Sequence, residues 1–314
     1  MVQLVFPEDV NSRGTLYGGR MMYWIVTAGT LTASRCARGP VALGAMDDLD
    51  FLHPVFLGDI VTVSAQVEFI GRASLELGVD VHAENPRTGL CRRTTSSHLA
   101  FVALDEHERP RSAGAAIIPT GAVEAAAHAA AADRKAARAA ARSAVDEGVP
   151  DEPAAGTHGV SISRLVRPED ALSGTLMFAG KLVAALDEVA AIAAIRSCRQ
   201  PTVTASVDTV YFHHPLRVGQ IADFRAVLTH VGRSSMEVGI RVDGEEPQTG
   251  GRWHVTTAYL TMVQVGADGK PAAVSGLAPP AAGEPRPGRE GESRRAQRRA
   301  RIAALRQRGS YDVG

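Results

Sequence analysis

The chain has 314 residues, with 34 basic and 34 acidic side chains, a formal net charge of zero and a pI of about 7.2. This balance argues against a nucleic-acid-binding protein, and the length favours about two domains. The three cysteines, Cys36, Cys91 and Cys198, form neither a Cys-x-x-Cys pair nor a metal-binding spacing, which indicates reduced thiols in a cytoplasmic protein without a bound metal.

The first predicted element is a buried helix. The residues before it lack the basic flank and the apolar core of a signal peptide. No apolar run in the chain reaches the ~18 residues that a membrane-spanning helix needs. Gly18-Gly19 open the helix, which we predict over residues 17–36. Because it is apolar on nearly every face, it should lie in a core.

Three strands are predicted after this helix, at 61–69, 75–81 and 94–104. The first two are rich in alternating apolar residues, and clusters of turn residues separate the strands. One buried helix packed against an antiparallel sheet is an α+β layer architecture.

The same order of elements recurs 161 residues later, with a helix at 179–197 and strands at 222–231, 236–242 and 254–265. A period this long indicates two copies of one domain rather than a solenoid of small units. Each copy, at about 120 residues, is long enough to form its own core. The residues shared at this spacing include Asp47 with Asp208, Phe51 with Phe212, His53 with His214, Pro54 with Pro215, Gly58 with Gly219, Gly71-Arg72 with Gly232-Arg233, Ser74 with Ser235, and Glu76 with Glu237.

The repeat sets the domain boundaries. We place the first domain at 1–118, an Ala-rich helical linker at 119–157, the second domain at 158–277 and a basic, helical C-terminal segment at 278–314. The arginines of the linker could form a basic binding surface, but we favour a linker helix packed by its alanines. For the C-terminal segment, a solvated face is favoured over contact with phosphate.

The two copies differ where a reactive group would lie. Asp187 occupies the middle of the second helix, and the matching positions of the first helix hold Val26 and Thr27. Because the neighbours of Asp187 are small and apolar, burial should favour its neutral form and make the carboxylate more basic. The alternative is a carboxylate on a solvated stripe with Glu188.

Several short strings form an ordered set that covers both copies. They are Thr202-Val203-Thr204-Ala205-Ser206-Val207-Asp208, then Phe212, Pro215 and Gly219, then Gly232-Arg233-Ser234-Ser235-Met236-Glu237-Val238, the helix motif Leu186-Asp187-Glu188-Val189-Ala190, and the loop Asn11-Ser12-Arg13-Gly14-Thr15-Leu16-Tyr17-Gly18-Gly19. This set resembles the hotdog-fold acyl-CoA thioesterases, and in particular their tandem double-hotdog members. The resemblance extends over about residues 1–118 and 158–275.

The resemblance implies a tandem double hotdog, in which each copy wraps a curved antiparallel sheet around a long central helix. The two units pair side by side, and each active site takes an Asn from one unit and an acid from the helix of the other. Asn11 and Asp187 would form one complete site. The second site would lack both groups. Its helix holds Val26-Thr27 where the acid would lie. Its loop holds Leu172, or Ala171 with a one-residue shift, where the Asn would lie, and Asp170 is nearby.

The reaction implied by the resemblance is hydrolysis of an acyl-CoA thioester, with no cofactor. Asp187 would be the general base, a role worth about 10²–10⁴ in rate. Asn11 would hold the water or donate to the thioester oxygen, although a turn or cap role before Gly14 is the alternative. Amides at a helix N-terminus suit a developing oxyanion; the oxyanion and substrate-binding candidates are Ala179, Gly180, Gly18 and Gly19.

Two further groups of polar residues occur in both copies. Arg72, Ser74, Arg233 and Ser235 could contact the phosphates or pantetheine of coenzyme A, or could serve the fold. His53, His213 and His214 precede prolines in turns; a structural role is favoured over a catalytic one, because the copy without a complete site keeps such a residue.

We therefore expect a cytoplasmic acyl-CoA thioesterase that binds neither nucleic acid nor membranes. The alternatives are a hotdog hydratase or dehydratase acting on enoyl or hydroxyacyl thioesters, and a non-catalytic acyl-CoA sensor. The sequence contains no nucleophile elbow, P-loop or zinc signature. The resemblance also implies a homotrimer of double-hotdog chains.

Overall fold

The computed structural model describes residues 1–141, 159–172, 174–274 and 289–308, and it confirms the tandem double-hotdog architecture. The elements of the first copy, and the helix that follows it, are β1 (Val2–Leu4), α1 (Gly18–Ala37), β2 (Val41–Met46), β3 (Leu49–Asp50), β4 (Ile60–Ile70), β5 (Ser74–Glu84), β6 (Cys91–Ala103) and α2 (Ala122–Ala141).

The second copy repeats this order. Its elements are β7 (Val160–Leu165), α3 (Ala179–Cys198), β8 (Thr202–Val207), β9 (Val210–Tyr211), β10 (Ile221–Val231), β11 (Ser235–Glu246), β12 (Gly251–Gln264) and α4 (Arg289–Arg308). None of the helices in the described ranges combines the length and the apolarity needed to cross a membrane. Of the predicted linker and C-terminal segment, residues 142–157, 278–288 and 309–314 lie outside the described residues.

The core lies between each central helix and the inner face of its sheet. In β5 the alternate residues Leu75, Leu77, Val79 and Val81 are buried, as expected for a strand with one face on a core. Burial in α1 extends around most of the helix, so its apolar composition is explained by contact with both the sheet and α3.

The two sheets exchange their edge strands across the seam between the copies. Their orders are β1-β4-β5-β6-β2-β9 and β3-β8-β12-β11-β10-β7, so each sheet ends in, or begins with, a two-residue strand of the other copy. At the seam, the N–H and hydroxyl of Thr209 donate to Oδ1 of Asp48 over 2.7 and 2.9 Å. These two positions are separated by the repeat distance of 161 residues, so they lie close to the pseudo-twofold axis. This exchange joins the copies into one body.

α2 is held to the first sheet by ion pairs. Arg138 pairs with Glu76, which is 2% exposed, and with Asp47 at 2.6 Å. Arg134 pairs with Glu68. These arginines are therefore partners of the sheet rather than a free basic surface, and packing by alanines alone does not describe this helix.

α4 is held to the second sheet in the same way. Arg298 pairs with the buried Glu237 and lies 2.9 Å from Asp208, while Arg294 lies 2.7 Å from Glu237. Arg301 extends further and contacts Asp50 of the first copy at 2.6 Å. The basic C-terminal segment is thus not simply a solvated face, because α4 also connects the copies.

The buried pairing of Glu237 should dominate the attachment of α4. We expect Glu237→Ala to lower the free energy of unfolding by about 3–5 kcal/mol, because it leaves the buried Arg298 guanidinium without its main partner. Urea unfolding measures the loss, and hydrogen exchange should show α4 exposed. The control is Asp80→Ala, which removes a half-exposed pair with Arg93 and should cost about 1 kcal/mol or less. Equal losses would contradict this account.

Candidate active site

The carboxylate of Asp187 is buried where the middle of α3 meets the beginning of α1. Its exposed fraction is 3%. The backbone N–H of Gly19 donates to Oδ2 over 2.7 Å, and the hydroxyl of Thr204 in β8 donates to Oδ1 over 2.5 Å. The neighbouring Glu188 is exposed. Asp187 is therefore held by elements of both copies and does not belong to a solvated stripe.

Two glycines allow α1 to come this close to α3. A Cβ at Gly18 would lie 2.8 Å from the Cβ of Thr204, and a Cβ at Gly19 would lie 2.9 Å both from the Ala184 carbonyl oxygen and from the Cβ of Asp187. Such distances are shorter than van der Waals contact, so a larger residue at Gly19 would push the helices apart. The Gly-Gly pair that opens the helix is thus required by the helix crossing.

Burial governs the protonation of Asp187. Removal from water raises the pKa of its carboxyl group above the ordinary value. The hydrogen bonds from Thr204 and Gly19 favour the ionised form and offset part of this rise, whereas repulsion from Glu188 adds to it. The positive end of the α1 dipole also faces the carboxylate. The result is a carboxylate of fixed orientation that is more basic than an ordinary aspartate.

The helix N-terminus that contacts Asp187 belongs to α1, and the predicted Ala179 and Gly180 open α3 two turns before Asp187. The free N–H groups at the start of a helix point away from its body, and Asp187 lies two turns further along α3. The ring of Phe178 covers Gly180 instead, since a Cβ there would lie 2.4 Å from the ring. Of the four predicted backbone positions, the structure brings Gly18 and Gly19 to Asp187.

Asn11 lies in the loop that leads into α1, and its side chain is bonded within that loop. Its Nδ2 donates to Oγ1 of Thr15 over 2.8 Å, and its Oδ1 accepts the N–H of Arg13 over 2.9 Å. This arrangement is an Asx turn, the alternative role that the sequence left open. The structure therefore places Asn11 in the same loop-helix unit as Gly19, with hydrogen bonds that do not reach Asp187.

The pseudo-symmetric half-site has apolar residues at the corresponding positions. Val26 takes the place of Asp187, and Leu43 takes the place of Thr204, and both are buried. A carboxylate and its hydroxyl partner have thus been replaced together. This half-site has no equivalent proton acceptor in its helix.

Asp170, which the sequence places near the second site, has a structural role. It is 2% exposed, and its carboxylate accepts hydrogen bonds from Arg164 at 2.8 Å and from the N–H of Arg167 at 3.0 Å. Leu172, at the position of Asn11, is 61% exposed. The loop of the second copy therefore lacks the amide that the first copy retains.

The four candidates for contact with coenzyme A, Arg72, Ser74, Arg233 and Ser235, lie in two equivalent hairpin turns. In each turn the glycine N–H donates to the serine carbonyl oxygen, over 2.8 Å in the first copy and 2.7 Å in the second. Both arginines are exposed. Closure of the β4–β5 and β10–β11 hairpins explains why both copies keep these turns, and contact with coenzyme A stays a prediction.

The histidines before the prolines lie in turns, away from the helix crossing. The Nδ1 of His214 is 2.9 Å from the carbonyl oxygen of His254, and the ring of His213 packs 5.3 Å from that of His254. These contacts connect the turn to β12, in keeping with the structural role favoured from the sequence.

Thr204 is the site residue that the sequence analysis did not single out. It belongs to the string that carries the family resemblance, and its counterpart in the first copy is Leu43. The signal that identified Asp187, a polar residue in one copy and an apolar one in the other, therefore also marked Thr204. It was weak because threonine is common in strands on structural grounds alone.

Comparison with known proteins places this chain in a family. The model described as "Thioesterase superfamily" matches the chain twice, at residues 13–90 and 174–250. The chain is 27% identical to the cytosolic acyl coenzyme A thioester hydrolase of Mus musculus, over 96% of this chain and 83% of that protein. It is 42% identical to protein VdlD of Helicobacter pylori over 35% of this chain and 63% of that protein.

Among solved structures, an acyl-CoA hydrolase from Staphylococcus aureus in complex with butyryl coenzyme A and coenzyme A is similar to one half of the chain. It is 32% identical, with a TM-score of 0.45, and the match covers 49% of this chain and 94% of that chain.

The raised pKa of Asp187 leads to a pH-dependent effect on stability. A carboxyl whose pKa is higher in the folded state stabilises the fold only while protonated, so its ionisation at higher pH costs stability. We expect Asp187→Asn to raise the Tm by a few degrees at about pH 8 and to change it little at about pH 4, near the ordinary carboxyl pKa. Thermal unfolding at both pH values measures this. The same change of Tm at the two pH values would contradict this prediction.

Proposed function

Because the chain belongs to the thioesterase superfamily, whose domain it carries twice, we propose that it hydrolyses acyl-CoA thioesters to a free acid and coenzyme A. The observation that carries the proposal is the buried carboxylate of Asp187, fixed by Gly19 and Thr204 at the N-terminus of α1. Relatives named as an acyl coenzyme A thioester hydrolase and as an acyl-coenzyme A thioesterase support the substrate class.

In the proposed reaction, Asp187 accepts a proton from a water molecule whose oxygen attacks the thioester carbonyl carbon. The carbonyl π electrons move to the oxygen, and the tetrahedral oxyanion then collapses with cleavage of the C–S bond. The proton held by Asp187 passes to the leaving thiolate. The elevated basicity of the buried carboxylate supports this role, since a general base is most effective when its pKa approaches the working pH.

The backbone at the start of α1 would have two tasks. The N–H of Gly19 already orients Asp187, so it is a positioning group. The N–H of Gly18, in the same open first turn, is our candidate donor to the oxyanion, because early helix amides lack intrahelical acceptors. Asn11 would exchange its Asx-turn bonds for the water or the thioester oxygen when substrate binds.

The decisive assay follows release of the coenzyme A thiol in the presence of a chelator. We expect Asp187→Asn to lower kcat by about 10²-fold or more. The matched control is Glu188→Gln, which makes the same acid-to-amide change one residue away on an exposed side chain and should leave kcat within about twofold.

Similar losses in the two variants would refute the assignment of Asp187. Substrate consumption without thiol release would support the hydratase or dehydratase alternative, and binding without turnover would support the sensor. Activity that the chelator abolishes and added metal restores would contradict a metal-free mechanism.

We also propose that the enzyme works in the cytoplasm as a homotrimer. The cytosolic relatives support the location. An exposed apolar patch around Phe6, Phe56 and Leu57 supports association, since these side chains are 48–51% exposed on adjacent segments. The corresponding positions of the second copy hold Arg167 for Phe6 and Arg217 for Phe56, so the copies differ at this surface.

Light scattering should give about three times the chain mass of 33.1 kDa. We expect Phe56→Arg, which introduces the residue type of the second copy, to shift the protein towards the monomer, because it places a charge in an apolar interface. A wild-type protein that is monomeric at all concentrations would overturn the trimer and leave the active-site assignment intact.

A further inference from the structure

The loop that carries Asn11 is tied to the second copy by the side chain of Arg13. Its Nη2 donates to the backbone carbonyl of Val265, which follows β12, over 3.3 Å. The other hydrogen bonds that residues 11–17 make within the described chain stay in the first copy. Because Asn11 and Asp187 belong to different copies, the Arg13 bridge joins the loop to the copy that supplies the carboxylate.

The bridge begins in the turn that holds the Asn11 side chain. The backbone N–H of Arg13 donates to Oδ1 of Asn11 over 2.9 Å, and the N–H of Gly14 donates to the Asn11 carbonyl oxygen over 2.9 Å. Gly14 has a φ of +73°, a left-handed conformation that glycine adopts readily. Arg13 is therefore part of the turn that orients Asn11, while its side chain contacts the second copy.

The matching corner of the molecule satisfies the equivalent carbonyl with a different arginine. That carbonyl belongs to Leu104, and it accepts a hydrogen bond from Nε of Arg111 in the same copy, over 2.8 Å. The counterpart of Arg111 in the second copy is Ala272, and the counterpart of Arg13 is Gly174. Each carbonyl thus receives one guanidinium, from within its own copy at Leu104 and from the other copy at the matching position.

The equivalent loop of the second copy is held to the first copy by a carboxylate instead. Glu108 accepts the N–H of Thr175 over 3.0 Å, and the Thr175 hydroxyl lies 3.0 and 3.1 Å from its two oxygens. Arg217 pairs with the same carboxylate. That loop has Leu172 where the first copy has its amide. The Glu108 cluster is therefore a connection between the copies at a loop without a reacting group, and it provides a control for the Arg13 bridge.

The Arg13 bridge contributes little to the fold as a whole. A single hydrogen bond of 3.3 Å is a small part of the free energy of unfolding. Within the described residues, the buried Nε of Arg13 has no hydrogen-bond partner, which offsets part of the gain. The copies are also joined by their exchanged edge strands and by the bond from Gly19 to Asp187. Loss of the bridge should therefore release the loop without unfolding the chain.

We propose that Arg13 is a positioning residue for the thioesterase reaction, whose bridge to the second copy holds the loop of Asn11 at a fixed place relative to Asp187. The inference rests on the proposed function. Arg13 acts through Asn11, because its own side chain reaches a backbone carbonyl rather than the reacting group. A released loop would present the amide correctly for a smaller fraction of the time, and such misplacement lowers the rate of the chemical step.

The test measures kcat and KM for thiol release from one acyl-CoA in Arg13→Met, Arg13→Lys and Glu108→Gln. Methionine keeps an unbranched apolar stem and removes the donor, so we expect kcat to fall about tenfold while Tm stays within about 3 °C of the wild type. Lysine keeps a cationic donor and should return kcat to within about threefold. Glu108→Gln weakens the other connection and should leave kcat within about twofold.

A double-mutant cycle shows whether Arg13 acts through Asn11. When Asn11 is already alanine, Arg13→Met should have little further effect on kcat, because the group that it positions is absent. A general disturbance of the site would instead lower kcat by the same factor with and without the Asn11 amide. Equal factors in the two backgrounds, or an unchanged kcat in Arg13→Met alone, would overturn the inference.

Hydrogen exchange provides a measurement that needs no turnover. Arg13→Met should speed exchange at the amides of Asn11 and Gly14 about tenfold and leave Thr175 unchanged, whereas Glu108→Gln should do the reverse. A wild type that hydrolyses no acyl-CoA would refute the proposed function. The predicted exchange pattern would then still support Arg13 as the residue that holds the loop, and an unchanged pattern would overturn the function and the bridge together.

Discussion

The contact between Gly19 and Asp187 is the constraint on which this molecule depends. It joins residues 168 positions apart in the chain, one from each copy. It requires glycine where α1 crosses α3, because a side chain there would collide with α3. The same contact orients the carboxylate and brings the positive end of α1 to it. Burial makes the carboxylate basic, and the two donated hydrogen bonds keep it ionisable.

The rest of the fold maintains this crossing. The exchanged edge strands and the bond between Asp48 and Thr209 keep the copies in register, and α4 adds the ion pair from Arg301 to Asp50. Glu76 and Glu237, which anchor α2 and α4 to the sheets, are the same residue type at matching positions of the two copies. Residues at the crossing differ between the copies, so one half-site has a carboxylate and the other has apolar residues at the matching positions.

The sequence was sufficient for the repeat, the central helices and the burial of Asp187, because each rests on a local pattern or on a difference between matching positions. It was not sufficient for the partner of Asp187. Which helix N-terminus faces the carboxylate depends on the crossing of α1 and α3, and periodicity within one helix carries no information about it. For the same reason, the sequence does not predict that arginines of α2 and α4 pair with the buried carboxylates of distant strands. The two-residue strands β3 and β9 are too short to show any period.

The central claim is that each chain contains one complete site, made from both copies. Isothermal titration calorimetry with a non-hydrolysable acyl-CoA thioether analogue tests it most directly, because it counts sites without relying on turnover. The account predicts one analogue molecule bound per chain. Two equivalent molecules per chain would contradict it, since the half-site around Val26 would then accept substrate as well as the site around Asp187.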